Sequence, residues 1–275
     1  MNKKLLLLGS VFLLQSCTQL LFYPIKPHLM TPDSLGILFD DIYIETEDKL
    51  TLHGWFLHAE HEVRAKVLFF HGNGENISTH INLVSWLTKH DYDVIAVDYR
   101  GYGQSQGVPD LKGSIDDVDA AVRYTIDELL GEDEKLFVLG HSLGGGLSIA
   151  ALAQNDYQGR VKALFSISAF SDYRDMTQDA LSTSWLTWAL QWPLSFTVNN
   201  DYSPKKMVSE ISPISFVIMH AEDDHIVPAY HADVLFEHAK QPKYMDKTLG
   251  DHNRILLWPE NKALLLGYLN RFVAE

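Results

Sequence analysis

Gly140-His141-Ser142-Leu143-Gly144 is the stretch that decides how the rest of this sequence is interpreted. A G-x-S-x-G pattern arises by chance in about one chain in ten of this length, so its neighbours carry the inference. The apolar run 135–140 predicts a buried strand before it, and the Ala- and Leu-rich run 143–154 predicts a helix after it. Ser142 is therefore expected on a tight strand-to-helix turn, as a candidate nucleophile whose hydroxyl projects above a sheet. The alternative is a glycine-rich turn whose serine has no chemical role.

Buried strands alternate with helical patterns on both sides of this turn. The alternation is typical of the α/β class, in which helices cover a mostly parallel sheet. The predicted central strands are 66–71, 93–98, 135–140, 163–168 and 215–220, and 41–46 with 50–58 are expected to form an antiparallel hairpin at one edge. The predicted helices are 77–90, 115–130, 143–154, 229–239 and 259–273. A single large domain, 35–275, accounts for all of them.

The interval 171–214 is too long for a plain connection between two strands. It is expected to form a small helical lid after the sixth strand. Within it, four large apolar residues have the spacing of one helix face: Leu181, Trp185, Trp188 and Trp192. Two uses of this stripe are open, a wall that binds an acyl chain and, more commonly, the core by which a lid packs on the body of a protein.

The composition limits the classes of function. Of 275 residues, 46% are hydrophobic and 21% are charged, which is ordinary for a globular protein with a large core. The net charge is −14, from 22 basic and 36 acidic residues, and this balance opposes binding to nucleic acid. The single cysteine, Cys17, cannot form a disulfide or a thiolate metal cluster within one chain.

The N-terminus has the pattern of an export signal. A basic start, 1–4, precedes an apolar run, 5–14, that is too short to span a bilayer as a helix, which takes roughly 20 residues. Residues 1–16 are therefore predicted to be a signal peptide. Residues 17–34, which contain three prolines, are predicted to be a tether to the domain. An uncleaved signal anchor is the alternative.

Leu14-Gln15-Ser16-Cys17 resembles the lipobox of bacterial lipoproteins. The resemblance implies cleavage before Cys17 and acylation of that residue, which would anchor the protein to a membrane on its extracytoplasmic side. Thr18, in place of Asp, implies delivery to the outer membrane if the source is a bacterium with two membranes.

Three segments occur in order along the chain, the last of which contains the G-x-S-x-G pattern: FFHGNGEN at 69–76, VDYRGYGQS at 97–105 and GHSLGG at 140–145. Together they resemble the small-lid α/β hydrolases, a group that includes protein depalmitoylases. The resemblance implies an α/β-hydrolase fold and a serine hydrolase that cleaves carboxylic esters or thioesters through an acyl-serine intermediate, without a cofactor or a metal. The oligomeric state does not follow from it.

The same resemblance implies the other site residues. HAEDDHIVP, 220–228, is similar to the family's acid loop and implies Asp224 as the triad acid, with Asp223 as its rival. Gly250-Asp-His-Asn253 is similar to the family's base loop and implies His252 as the base. The oxyanion donors would be the backbone N–H groups of Leu143 and Asn73.

Several alternatives stay open from the sequence. The same triad could serve a peptidase or amidase, and a decayed triad could leave a surface-anchored binding protein. His220, Asp223 and His225 could be metal ligands, although an open metal site needs further partners. His231 and His238, seven residues apart in a predicted helix, are expected to face solvent. Ala221 departs from the family's usual Gly, which matters only if that residue needs a positive φ.

Overall fold

The computed structural model describes residues 22–184 and 186–275 of the chain. Within this part, eight strands form one sheet in the order β1-β2-β4-β3-β5-β6-β7-β8. Their bounds are β1 Phe39–Glu45, β2 Thr51–Leu57, β3 Ala65–Phe70, β4 Tyr92–Val97, β5 Leu136–His141, β6 Val161–Ile167, β7 Ser215–Ala221 and β8 Lys243–Thr248. β1 and β2 form the predicted edge hairpin, β2 pairs antiparallel with β4, and all other pairs are parallel. The prediction of a mostly parallel sheet is confirmed.

Strands β3 to β7 lie in the middle of two apolar layers because nearly every residue in them is buried. Alternate side chains point to opposite faces: Phe70 and Val138 belong to one layer, and Phe69 and Leu139 to the other. The helices that complete the layers are α1 Ile77–His80, α2 Leu111–Tyr124, α3 Leu143–Gln154, α4 Tyr173–Ser182, α5 Gln191–Ser195, α6 Pro204–Met207, α7 Tyr230–His238 and α8 Pro259–Ala274.

The region predicted as one helix over 77–90 differs from the prediction. It contains one turn of α-helix, α1, followed by two 3₁₀ segments, Ile81–Leu83 and Ser85–His90. Side chains donate hydrogen bonds to backbone carbonyls in this region. Trp86 Nε1 donates to the Leu83 oxygen at 2.8 Å, and Thr88 Oγ1 donates to the Ser85 oxygen at 2.9 Å. Such local bonds compete with a regular helical ladder.

The interval predicted as a lid contains the short helices α4, α5 and α6. The prediction of one continuous tryptophan-bearing face is wrong. Helix α4 ends at Ser182, where Thr183 Oγ1 and Thr187 Oγ1 donate to the carbonyls of Ala180 and Leu181. Trp188 and Trp192 lie beyond this break.

Neither tryptophan is lid core. The side chain of Trp188 is 63% exposed and that of Trp192 is 58% exposed, so the expectation that they pack the lid on the body is also wrong. Trp185, the remaining tryptophan of the stripe, lies outside the described residues.

The described part of the predicted tether, 22–34, packs along the domain, and we call it the N-terminal segment. Lys26 Nζ donates to the Ser105 oxygen at 2.7 Å, and His28 Nε2 lies 2.8 Å from Asp98 Oδ2. Burial acts to raise the pKa of Asp98, but hydrogen bonds with His28 and His53 lower it to about 2. The predicted signal peptide, Cys17 and the first residues of the tether lie outside the described residues. Within the described residues, every helix is too short or too polar to cross a bilayer.

The close approach of α3 to the sheet gives a test of this packing. A Cβ added at Gly144 would lie 2.2 Å from the Phe70 carbonyl oxygen of β3, so the helix would have to move away. We expect Gly144→Ala to lower the free energy of unfolding by about 2 kcal/mol, measured by urea denaturation. Gly267 in α8 is the matched control, because a Cβ there meets nothing within 4 Å. Gly267→Ala should raise stability by about 0.5–1 kcal/mol. Equal effects of the two substitutions would contradict the close approach.

Candidate active site

Ser142 occupies the turn between β5 and α3, with φ 53° and ψ −114°. An L residue rarely adopts this conformation, which costs on the order of 1–3 kcal/mol. The Ser142 N–H donates to the Ile167 oxygen of β6 at 2.8 Å and so holds the turn against the sheet. The end of β5 and the start of α3 can approach closely because Gly140 has no side chain. A Cβ there would lie 2.5 Å from the Gly144 carbonyl. The result is the strand–turn–helix geometry that the sequence predicts.

Asp224 and His252 form a buried pair, with His252 Nδ1 2.7 Å from Asp224 Oδ2. The other carboxylate oxygen accepts the backbone N–H groups of Ile226 at 2.9 Å and Val227 at 2.8 Å. Burial acts to raise the pKa of Asp224, but the His252 bond and charge and these two N–H groups together lower it. The rival acid, Asp223, is exposed to solvent.

Ser142 and His252 line the same cavity, which places the candidate nucleophile and base at one site. Among the described residues, no hydrogen bond joins the Ser142 hydroxyl to His252. Catalytic hydrogen bonds are often long in a ligand-free site and shorten when substrate binds, so this arrangement is compatible with a nucleophile–base pair.

Two further histidines support the acid and base loops: His141, which the sequence analysis did not single out, and His220, which it considered only as a possible metal ligand. His141 Nε2 donates to the His252 carbonyl at 2.9 Å, and burial holds the pKa of His141 well below its usual range. His220 Nε2 donates to the Val227 oxygen at 2.8 Å, and burial likewise lowers the pKa of His220. Both rings are therefore neutral at ordinary pH, and each holds a loop of the site through one hydrogen bond. The only sequence signal for His141 was its place inside the G-x-S-x-G pattern.

The two predicted oxyanion donors also border the cavity. Leu143 is the first residue of α3, and the first N–H groups of a helix have no acceptor within the helix. The Asn73 side chain fixes its own loop, because Asn73 Oδ1 accepts from the Tyr23 N–H at 3.0 Å, the Gly74 N–H at 2.8 Å and the Tyr102 hydroxyl at 2.8 Å. The N-terminal segment is therefore part of what positions the Asn73 loop, a role that the sequence did not indicate.

The cavity has a volume of about 570 Å³, and most of its lining surface is apolar. Its apolar walls come from the lid, from the acid loop and from the N-terminal segment: Phe22, Phe170, Met176, Ala180, Leu181, Leu194, Val198, Ile226 and Val227. Leu181 lines the cavity, in agreement with the hypothesis that the predicted stripe forms a wall for an acyl chain. Trp188 and Trp192 are not among the described residues that line it.

Of the two histidines expected to face solvent, one differs from the prediction. His231 is buried, not solvent-facing, with Nδ1 2.8 Å from Ser171 Oγ and Nε2 3.0 Å from Asp179 Oδ2. It therefore links α7 to the lid. His238 is exposed, as expected. Ala221 ends β7 and is not among the described residues with a positive φ, so its difference from Gly costs nothing.

In the described part of the chain, the group of donors close enough to share a metal ion is His28, His53 and Asp98, not the acid-loop histidines. Its atoms are largely engaged within the protein. His28 bonds to Asp98, and His53 Nε2 lies 2.7 Å from Asp41 Oδ1. Burial acts to lower the pKa of His53, but Asp98 and Asp41 raise it above its usual value. These contacts hold the N-terminal segment on the domain, because His28 belongs to the segment and Asp98 to the domain.

Comparison with known proteins identifies the family. Residues 61–213 match the family described as serine aminopeptidase, S33. The chain is 31% identical over 217 residues to the uncharacterized protein YfhR of Salmonella typhi, which covers 74% of this chain and 70% of that protein. It is 29% identical over 246 residues to the alpha/beta hydrolase domain-containing protein WAV2 of Arabidopsis thaliana, covering 84% and 78%. An esterase of Pyrococcus furiosus has the same fold, with a TM-score of 0.73 at 20% identity over 91% of this chain and 98% of that one. The chain therefore belongs to the serine aminopeptidase S33 family, and it is a hydrolase with the α/β-hydrolase fold.

Proposed function

We propose that this protein is a serine hydrolase that cleaves carboxylic esters or thioesters through an acyl-enzyme on Ser142. The observation that carries the proposal is the buried Asp224–His252 pair facing the cavity that also holds the strained Ser142 turn. A serine hydroxyl is a weak nucleophile on its own and needs a base that a third group orients. These three side chains have the chemistry and the arrangement for that task.

The reaction would proceed in two halves. Ser142 Oγ attacks the acyl carbon while His252 Nε2 takes the hydroxyl proton, and Asp224 holds the His252 Nδ1–H and stabilises the imidazolium. The N–H groups of Leu143 and Asn73 would receive the developing oxyanion. Collapse breaks the ester or thioester bond, and His252 protonates the leaving alcohol or thiol. Water then attacks the acyl-enzyme with the same base and releases the acid.

The lining of the cavity favours an acyl chain over a peptide. An aminopeptidase must bind the free amino group of its substrate, and a carboxylate is the usual partner for an ammonium group. None of the described residues that line the cavity is Asp or Glu. An apolar chain, in contrast, would gain about 0.8 kcal/mol for each methylene buried. Structurally similar proteins that are named esterases add support at the level of the fold.

The second part of the proposal is the membrane tether. Cys17 precedes Phe22 by five residues, and Phe22 already lines the cavity. Five extended residues span at most about 18 Å. A lipid on Cys17 would therefore hold the active site close to the membrane surface, within reach of acyl groups carried by lipids or by lipidated proteins.

The role of Ser142 is tested by turnover of p-nitrophenyl butyrate. We expect Ser142→Ala to lower kcat by about 10⁴-fold or more, because the covalent route is lost. Ser148→Ala is the matched control, since Ser148 is buried in α3, the helix that follows Ser142, and its hydroxyl has no hydrogen-bond partner among the described residues. That variant should keep near-normal turnover. Retention of activity in Ser142→Ala would refute the proposed nucleophile.

The identity of the acid is tested by comparing neighbouring aspartates. Asp224→Asn should lower kcat by about 10⁴-fold with little change in KM, because the amide leaves His252 in the wrong tautomer. Asp223→Asn should change kcat less than twofold, since its side chain lies in solvent. The reverse ranking would assign the acid to Asp223.

A further inference from the structure

The lid carries an exposed apolar surface that the proposed chemistry does not use. We define the lid face as Trp188, Trp192 and Phe196, which follow one another at four-residue intervals. Trp188 begins the 3₁₀ segment Trp188–Leu190, Trp192 lies in helix α5, and Phe196 directly follows that helix. Their side chains are 63%, 58% and 65% exposed. Leu186 and Leu190 are exposed beside them. Large apolar side chains that are exposed together on one short segment are typical of a surface that contacts something apolar.

The lid face also lies in the longest stretch of the lid that contains no charged residue. Residues 180–200 include no Asp, Glu, Lys or Arg, although the whole chain has 58 such residues (36 acidic and 22 basic) and a net charge of −14. An acidic protein is repelled by the negative surface of a bacterial membrane. This neutral stretch is where the protein can approach a membrane at the least electrostatic cost.

The lid face is adjacent to the opening of the cavity. Leu194 of α5 lies between Trp192 and Phe196 in the chain and lines the cavity, and it is itself partly exposed. Tyr23 of the N-terminal segment lines the same cavity and is 67% exposed. Both residues line the cavity and are exposed, so the cavity reaches the protein surface at the lid face and at the start of the N-terminal segment.

We propose that the lid face rests on the surface of a lipid bilayer and that the cavity opens toward that surface, so that the substrate is an acyl chain carried in the bilayer. The N-terminal segment indicates this occupant, because the chain continues from Phe22 beside the opening to the predicted lipid on Cys17, about 18 Å away at most. Tryptophan and phenylalanine are side chains suited to this place, since large aromatic rings settle at the boundary between headgroups and acyl chains. The inference rests on the proposed function for the chemistry that it serves.

The test uses the full chain with its own N-terminus and the variant Trp188→Ser/Trp192→Ser/Phe196→Ser. None of the three residues is among those that line the cavity. Vesicles contain equal amounts of phosphatidylethanolamine and phosphatidylglycerol with brominated acyl chains, which quench nearby tryptophan fluorescence. We expect the wild type to be quenched and the variant to lose most of that quenching. Hydrolysis of a long-chain ester embedded in the vesicles should fall about tenfold, as buried apolar surface is lost, while turnover of soluble p-nitrophenyl acetate stays unchanged.

The matched control is Leu38→Ser/Tyr43→Ser/Val108→Ser, which removes three equally exposed apolar side chains away from the cavity. It should behave as the wild type in both vesicle assays. If the lid-face variant matches the wild type in quenching and in hydrolysis of the embedded ester, the docking inference is overturned and the proposed function stands. If the wild type hydrolyses neither ester, the proposed function fails, while quenching still reports docking. A lid-face variant that turns from dimer to monomer with quenching unchanged would assign the face to a second copy of the chain and overturn the inference.

Discussion

The conformation of the Ser142 backbone is the constraint around which the active site is built. With φ 53° and ψ −114°, this residue lowers the stability of the fold by on the order of 1–3 kcal/mol relative to an ordinary turn. The surrounding structure offsets that cost through the hydrogen bond from the Ser142 N–H to Ile167 and through close packing of Gly140 against Gly144. The same packing brings α3 onto β3, so the start of the helix, Ser142 and the Asn73 loop are fixed together.

Sheet topology explains why the other groups meet there. From β3 the chain crosses to β4 on one side, and from β5 it crosses to β6 on the other, so β3 and β5 are neighbours whose connections diverge. Ligands of α/β proteins bind at such a switch point, beyond the carboxyl ends of the strands. Asp224 follows β7 and His252 follows β8 at the same edge. The carboxylate of Asp224 is buried with two N–H groups and His252 as its partners. In the proposed mechanism, that negative charge would favour the imidazolium formed when Ser142 gives up its proton.

The sequence predicted the features that short segments encode. Gly140 to Gly144 between a buried strand and a helix specified the turn, and the central strands were visible as apolar runs. Strand β8 was missed because KYMDKT is a polar edge strand without an apolar run. His231 was misplaced because its partners, Ser171 and Asp179, lie 60 and 52 residues away in the chain. The docking of the N-terminal segment and the exposure of the lid tryptophans also depend on long-range packing, which residue spacing does not encode.

We propose that the strained Ser142, the buried Asp224–His252 pair and the apolar cavity form one acyl-transfer site, with the lid face as its contact with the bilayer. The central step is the transfer of the acyl group to Ser142. The most direct measurement uses a p-nitrophenyl carbamate, because its serine adduct hydrolyses slowly, followed by peptide mass spectrometry. We expect release of p-nitrophenol equal to the enzyme concentration and a single carbamoyl group on the peptide that contains Ser142. A carbamoyl group on another residue, or no adduct on a protein that turns over esters, would contradict the proposal.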